Sequence, residues 1–87
     1  MAPLTDDARK LAREVLAGGV IMYSKHCRDR LLERDLTTVD CENALRAGVY
    51  QPDGEGAFQA STGRLTVCFK FLDDERLFIK TAWRKDP

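Results

Sequence analysis

His26, Arg30 and Arg34 recur every fourth residue within the segment Ser24 to Gly48, SKHCRDRLLERDLTTVDCENALRAG. On an α-helix such residues lie on one face, a turn apart. One titratable imidazole and two permanent cations therefore share a stripe. Guanidinium groups hold phosphate oxygens two at a time, so the stripe suits an anion such as a phosphate backbone better than it suits packing. His26 is the single histidine of the chain. Its side chain is the one whose ordinary pKa fits proton transfer near neutrality.

The bulk composition neither favours nor opposes an anionic partner. Fourteen basic residues balance fourteen acidic ones among 87 residues, 44% of them hydrophobic. The charge is unevenly spread. Residues 24–34 carry Lys25, Arg28, Arg30 and Arg34 against Asp29 and Glu33, whereas residues 40–56 carry Asp40, Glu42, Asp53 and Glu55 against Arg46. A cationic helix followed by an acidic stretch is consistent with a site for anions. A single domain over residues 1–87 is expected, with a small stability margin, since a chain this short buries only about 60–65% of its unfolded surface. Cys27, Cys41 and Cys68 are odd in number and contain no CxxC pair. With one histidine, they predict neither a disulfide framework nor a zinc site, and read as small buried hydrophobes. No apolar run approaches the roughly 20 residues of a membrane span. The expectation is a reduced, cytoplasmic protein with no membrane, metal or cofactor requirement.

The elements that must position the stripe follow from local signals. Leu4, Ala8, Leu11 and Val15, joined by Ala12 and Leu16, form the apolar face of a first helix from Thr5 to Ala17, capped by Thr5 and ended by Gly18-Gly19. Val20 to Tyr23 is a short strand or extended link. Ser24 caps a second helix running to Glu33 or Arg34. Thr37 caps a third, with Asp40 placed to complete a capping box, Cys41, Ala44 and Leu45 on its buried face and Gly48 as its stop. Short strands follow at Val49–Gln51 and Ala57–Ser61. The clearest strand is Arg64–Leu72, in which Leu65, Val67, Phe69 and Phe71 alternate with Thr66, Cys68 and Lys70.

The last hairpin is predicted to turn at Asp73-Asp74-Glu75, with Leu72 facing Arg76. That register aligns Leu65, Val67, Phe69 and Phe71 with Leu77, Ile79, Thr81 and Trp83, and closes the core with Trp83 against Leu65. The opposite face then carries Arg64, Thr66, Cys68, Lys70, Phe78, Lys80, Ala82 and Arg84. A slip by one residue would turn every side chain to the wrong face. Like charges facing each other on a sheet are mildly destabilising, so this cationic face suits an anionic ligand.

The segment H-x-x-x-R-x-x-x-R-D-L-T-T-x-D-x-x-x-A-L-x-x-G resembles the small prokaryotic family labelled domain of unknown function 4258. Members of that family read HA-x-x-R-x-x-x-RG-[IV]-[ST]-x-x-D-[IV]-x-x-A-[IL]-x-x-G. GRLTVCFKF and LFIKTAWR are similar to its two closing strands, and the likeness spans roughly residues 20 to 84. Cys27 replaces a small residue after the histidine, Asp35 replaces a glycine after the second arginine, and Trp83 stands where a hydroxyl-bearing aromatic is usual. The family is grouped with RelE/ParE-like and MqsR-like toxins. The resemblance implies an α+β fold, with N-terminal helices packed on a small curved antiparallel sheet of three to four strands. It also implies a toxin of a type II toxin–antitoxin system that cleaves messenger RNA without a metal.

Such cleavage needs a base, cations on the scissile phosphate and an acid for the leaving oxygen. The expected catalytic residues are His26, Arg30, Arg34 and Lys80. Lys70 and Arg84 add charge for substrate binding, and Tyr23, Phe78 and Trp83 are candidates to stack on unpaired bases. Tyr23 or Lys70 are alternatives to Lys80 for the second proton-transfer role. The expected partners are RNA, on the ribosome or free, and a cognate antitoxin, with a homodimer left open. The rival readings are a non-catalytic module whose same basic surface grips RNA or an acidic protein without cutting, and a gyrase-directed ParE-like inhibitor. For Arg30 and Arg34 taken alone, the plain alternative is ordinary helix salt bridging.

Overall fold

In the computed structural model, which describes residues 4–84, the elements run α1 (Leu4–Gly18), β1 (Val20–Tyr23), α2 (Lys25–Glu33), α3 (Thr38–Ala47), β2 (Val49–Pro52), β3 (Ala57–Ser61), β4 (Leu65–Phe71) and β5 (Arg76–Arg84). The strands form one five-stranded sheet in the order β1-β5-β4-β3-β2. The fold is α+β, as expected. The sheet exceeds the expected three to four strands because β1 joins it, parallel to β5, with Ile21 opposite Leu77 and Tyr23 opposite Ile79. The other pairings are antiparallel.

The helix ends are set by short-range hydrogen bonds. The Ser24 hydroxyl accepts the Cys27 N–H at 2.9 Å and starts α2. Thr37 and Asp40 form a reciprocal capping box at α3. At the end of α2, the Leu36 N–H reaches the Leu31 carbonyl at 2.8 Å and the Asp35 N–H the Leu32 carbonyl at 3.3 Å. This is a Schellman closure, and Leu31 and Leu36, both buried, supply its hydrophobic contact. Asp35 sits at its left-handed position with φ 59°, the conformation that favours glycine. α1 already includes Thr5, so that residue is inside the helix rather than its cap. The Leu4 side chain, expected to begin the α1 stripe, lies outside the described part.

One face of the sheet is covered. α1 presents Ala8, Ala12 and Val15, α2 presents Cys27 and Leu31, and α3 presents Cys41, Ala44 and Leu45, all buried. Beneath them lie Tyr50, Ala60, Leu65, Val67, Phe69, Leu77, Ile79 and Ala82. Phe69 is fully buried and touches three rings, with centroids 5.7 Å from Tyr50, 6.0 Å from Phe58 and 5.7 Å from Phe71. Removing such a side chain from water stabilises the fold by about 2–3 kcal/mol. All three cysteines are free and buried, as expected. The hydrogen bond with the neighbouring Cys27 thiol, and then burial, hold the Cys41 thiol well above its usual range.

The hairpin register agrees with expectation only near its turn. Phe71 faces Leu77, Lys70 faces Phe78 and Phe69 faces Ile79. The ladder then shifts: Cys68 faces Thr81, Val67 faces Ala82, Thr66 faces Trp83 and Leu65 faces Arg84. Lys80 is the extra residue of a β-bulge, which reverses the side-chain alternation beyond it. Ala82 is therefore buried among the helices, and Trp83 is turned out of the core to 38% exposure. The expected closure of the core by Trp83 against Leu65 is corrected by this bulge. Arg84 and Ala82 are likewise moved off the face that carries Thr66, Cys68 and Lys70.

Candidate functional site

The bulge at Lys80 and the start of α2 are one joint. The Ser24 N–H donates to the Ile79 carbonyl at 3.0 Å, and the Ser24 hydroxyl donates to the Lys80 carbonyl at 2.6 Å. A bulge interrupts the ladder and leaves carbonyls without strand partners. Here a single serine accepts the task and caps α2 in the same act. The turn that carries His26 thus begins at the backbone that carries Lys80. Arg30 and Arg34 follow at about 6 Å intervals along the helix axis.

His26 and Arg34 are exposed and Arg30 is half-buried. Two of the carboxylates near the stripe, Asp29 and Asp40, are paired with other cations. Lys25 takes Asp29 at 3.4 Å and Arg64 takes Asp40 at 3.2 Å. Among the described residues, His26, Arg30, Arg34, Lys70 and Lys80 form no ion pair. The clefts on the open sheet face, along α1 and between α2 and α3 hold none of His26, Arg30 and Arg34. The anchor at Ser24 joins their helix to the hairpin through backbone.

The uncovered sheet face is laid out in rows by the strand register. Val49, Ser61, Thr66 and Trp83 form one row, and Gln51, Gln59, Cys68 and Thr81 the next, with Lys80 bulging beside it. Ala57, Lys70, Phe78 and Met22 form the third. Lys70, Phe78 and Trp83 therefore share this face. Lys80 is exposed and lies close enough to Asp53 and Cys68 to act on both electrostatically.

Tyr23 departs from its expected role. It belongs to the helix-covered side, packed against the core, and its hydroxyl is buried with no partner among the described residues. Burial, with Cys41 and Glu42 nearby, pushes its phenol well above the usual range. In this position the ring packs towards the helices rather than onto the open face that carries Phe78 and Trp83, and the raised phenol is a poor proton donor. Arg84, opposite Leu65, sits at the end of β5 away from the row of Lys70 and Phe78.

The open face also carries a polar cluster that no sequence motif marks. The Cys68 thiol donates to the Asp53 carboxylate at 2.8 Å, and the Gln59 amide lies near that carboxylate. The Cys68 hydrogen bond, then the neighbouring Gln59 amide and the Lys80 charge, hold the Asp53 carboxyl below its usual range. Burial, then the hydrogen bond and charge of Asp53, push the Cys68 thiol up to about 11. Asp53 belongs to the β2–β3 turn and was legible only as a turn residue. Its placement over Cys68 depends on pairing Gln59 with Cys68 across β3 and β4.

No protein-family model matches the chain, and no curated protein matches it. The finer resemblance to the domain of unknown function 4258 family is thus without support at the level of a family model. Among solved structures, the fold is similar to a chain of the RelBE2 toxin–antitoxin complex from Mycobacterium tuberculosis, with a TM-score of 0.58 and 19% sequence identity. The match covers 78% of this chain and 99% of that one. The α+β arrangement of helices on one face of a mostly antiparallel five-stranded sheet is therefore a fold shared with that chain, a RelE-like fold.

Proposed function

We propose that the protein is the toxin of a toxin–antitoxin pair and that it cleaves messenger RNA without a metal. The RelE-like fold supports a toxin role, and the complex in which the similar chain was solved supports an antitoxin as the protein partner. The observation that carries the chemistry is the Ser24 joint, which begins the His26 turn at the Lys80 bulge while leaving the nearby cations unpaired. In this reading His26 transfers the proton at the 2′-hydroxyl, and Arg30 and Arg34 hold the scissile phosphate. Lys80 stabilises the developing charge or protonates the leaving oxygen, and Lys70 steers the backbone across the sheet. Phe78 and Trp83 offer stacking surfaces for unpaired bases, and Arg84 adds charge at the end of β5.

The test is expression from an inducible promoter together with assay of purified protein on RNA in a chelator. Growth arrest with cut transcripts is expected. His26→Ala should lower cleavage by about 10²-fold or more while circular dichroism stays unchanged, and Arg30→Ala should relieve the arrest. RNA that is bound with strong salt dependence but never cut would instead favour the non-catalytic module. Arrest with intact transcripts and damaged DNA would favour gyrase as the target.

A further inference from the structure

The two glutamines of the chain, Gln51 and Gln59, are cross-strand neighbours on the open face. They help line a cleft of about 880 Å³ that also takes in Ser61, Thr66 and Trp83. We infer that this cleft is a nucleobase subsite, in which Trp83 stacks on an unpaired base while Gln51, Gln59 and Ser61 read its edge. The inference rests on the RNA reading for its substrate and adds the determinant of base preference.

The chemistry of the lining selects the ligand class. No ionisable side chain lines the cleft, so nothing in it would hold a phosphate, a carboxylate or an ammonium group by charge. Its polar groups are amides and hydroxyls, which donate and accept in the plane of a flat heterocycle. The Ser61 and Thr66 hydroxyls lie 2.9 Å apart and satisfy one another in part. Thr66 is only 3% exposed and the Thr62 hydroxyl accepts the Arg64 and Leu65 N–H groups, which leaves Ser61, half-buried, as the hydroxyl most open to a ligand. Trp83 faces Thr66 across the floor of the cleft because the Lys80 bulge has turned it outward. An exposed indole beside neutral hydrogen-bonding groups suits a base, which has a π-face for one and a polar edge for the other.

The position of the cations fits the same ligand. Lys80 lies at the level of Cys68, one row from Thr66 and so about 7 Å along the strand, and Lys70 lies one row further. The face is thus divided along the strands into a neutral end for a base and, beyond the Asp53–Cys68 contact, an end where Lys70 and Lys80 outnumber the one carboxylate and suit the phosphates attached to it.

The experiment titrates wild-type protein with each of the four uncharged ribonucleosides, followed by NMR of the Trp83 indole N–H and the two glutamine side-chain amides. Inorganic phosphate serves as the charged control. At least one nucleoside should shift all three side-chain signals saturably, with an affinity unchanged between low and high salt. Phosphate should leave them in place. Trp83→Ala should weaken nucleoside binding about fivefold or more, as loss of one stacking contact does. Gln51→Glu, at an exposed position on edge strand β2, should weaken it and alter the preference among the four while the amide spectrum stays native. The inference is overturned if no nucleoside shifts these signals. It is also overturned if Gln51→Glu leaves affinity and preference unchanged, or if binding falls with salt as a phosphate contact would. Absence of RNA cleavage by the wild type alongside selective nucleoside binding would sink the ribonuclease reading and leave the subsite standing.

Discussion

Trp83 stands opposite Thr66 across β4 and β5, although an unbroken ladder from the Leu72–Arg76 end of the hairpin would set it against Leu65. One extra residue, Lys80, makes the difference, because side-chain direction in a strand has a period of two. The indole leaves the core for the open face, and Ala82 takes the buried place. Trp83 is the single tryptophan, so native fluorescence reports its surroundings directly. Emission should be red-shifted and readily quenched by acrylamide. A blue-shifted, quencher-resistant emission would contradict the bulged register.

Ser24 has two structural tasks, capping α2 at the Cys27 N–H and binding the Lys80 carbonyl. Ser24→Ala removes both. Loss of the cap alone costs about 1 kcal/mol, and the carbonyl left at the bulge raises this to roughly 2 kcal/mol. Chemical denaturation checks the stability. If the joint positions His26 against Lys80, RNA cleavage should fall under conditions where the variant remains folded.

Asp35 occupies a left-handed conformation that closes α2. A glycine there carries no steric penalty. Asp35→Gly is expected to raise stability by about 0.5–1 kcal/mol, the relief of strain outweighing the added freedom of the unfolded chain. A thermal melt would show this as a rise of a few degrees, with no effect on growth arrest.

Gly48 passes α3 directly into β2. A Cβ there would collide with the Ala44 carbonyl oxygen and lie 2.8 Å from the Ser61 carbonyl oxygen. Both are backbone atoms, so Gly48→Ala should destabilise by about 1–3 kcal/mol. Gly18, at the end of α1, has open space where a Cβ would go. Gly18→Ala should be neutral or slightly stabilising, which makes it the control in the same denaturation series.

The Cys68 thiol, raised to about 11 by burial and then by Asp53, gives a pH dependence of definite sign. Its folded value exceeds the ordinary thiol value, so the folded state keeps the proton after the unfolded chain has released it. The associated stability is complete below the ordinary thiol value and is lost as pH rises towards about 11. Unfolding free energy measured between pH 8 and 11 should fall on the order of 1–2 kcal/mol more steeply for the wild type than for Cys68→Ala. Equal slopes would count against the thiol–carboxylate contact.

Much of this architecture is local in origin. The caps at Ser24 and Thr37, the stop at Gly48 and the alternation of Leu65, Val67, Phe69 and Phe71 rest on hydrogen bonds or periodicities spanning a few residues. They can be read from the chain because the groups that satisfy one another are neighbours in it. The His26, Arg30 and Arg34 stripe was legible for the same reason, as were the first pairs of the last hairpin, which a short turn holds in register.

What only the tertiary structure decided involves partners far apart in sequence. β1 lies against β5, so Val20 meets Arg76, and nothing in VIMY specifies that neighbour. The same pairing ends β1 where Ser24 can take the carbonyls of Ile79 and Lys80, and the bulge reverses the faces beyond it. Tyr23 is thereby turned towards the helices, Trp83 exposed and the Gln51–Gln59 cleft given its aromatic wall. A strand's inner and outer faces are interchanged by one unpaired residue, and whether that residue is left unpaired depends on hydrogen bonds from a helix more than fifty residues earlier.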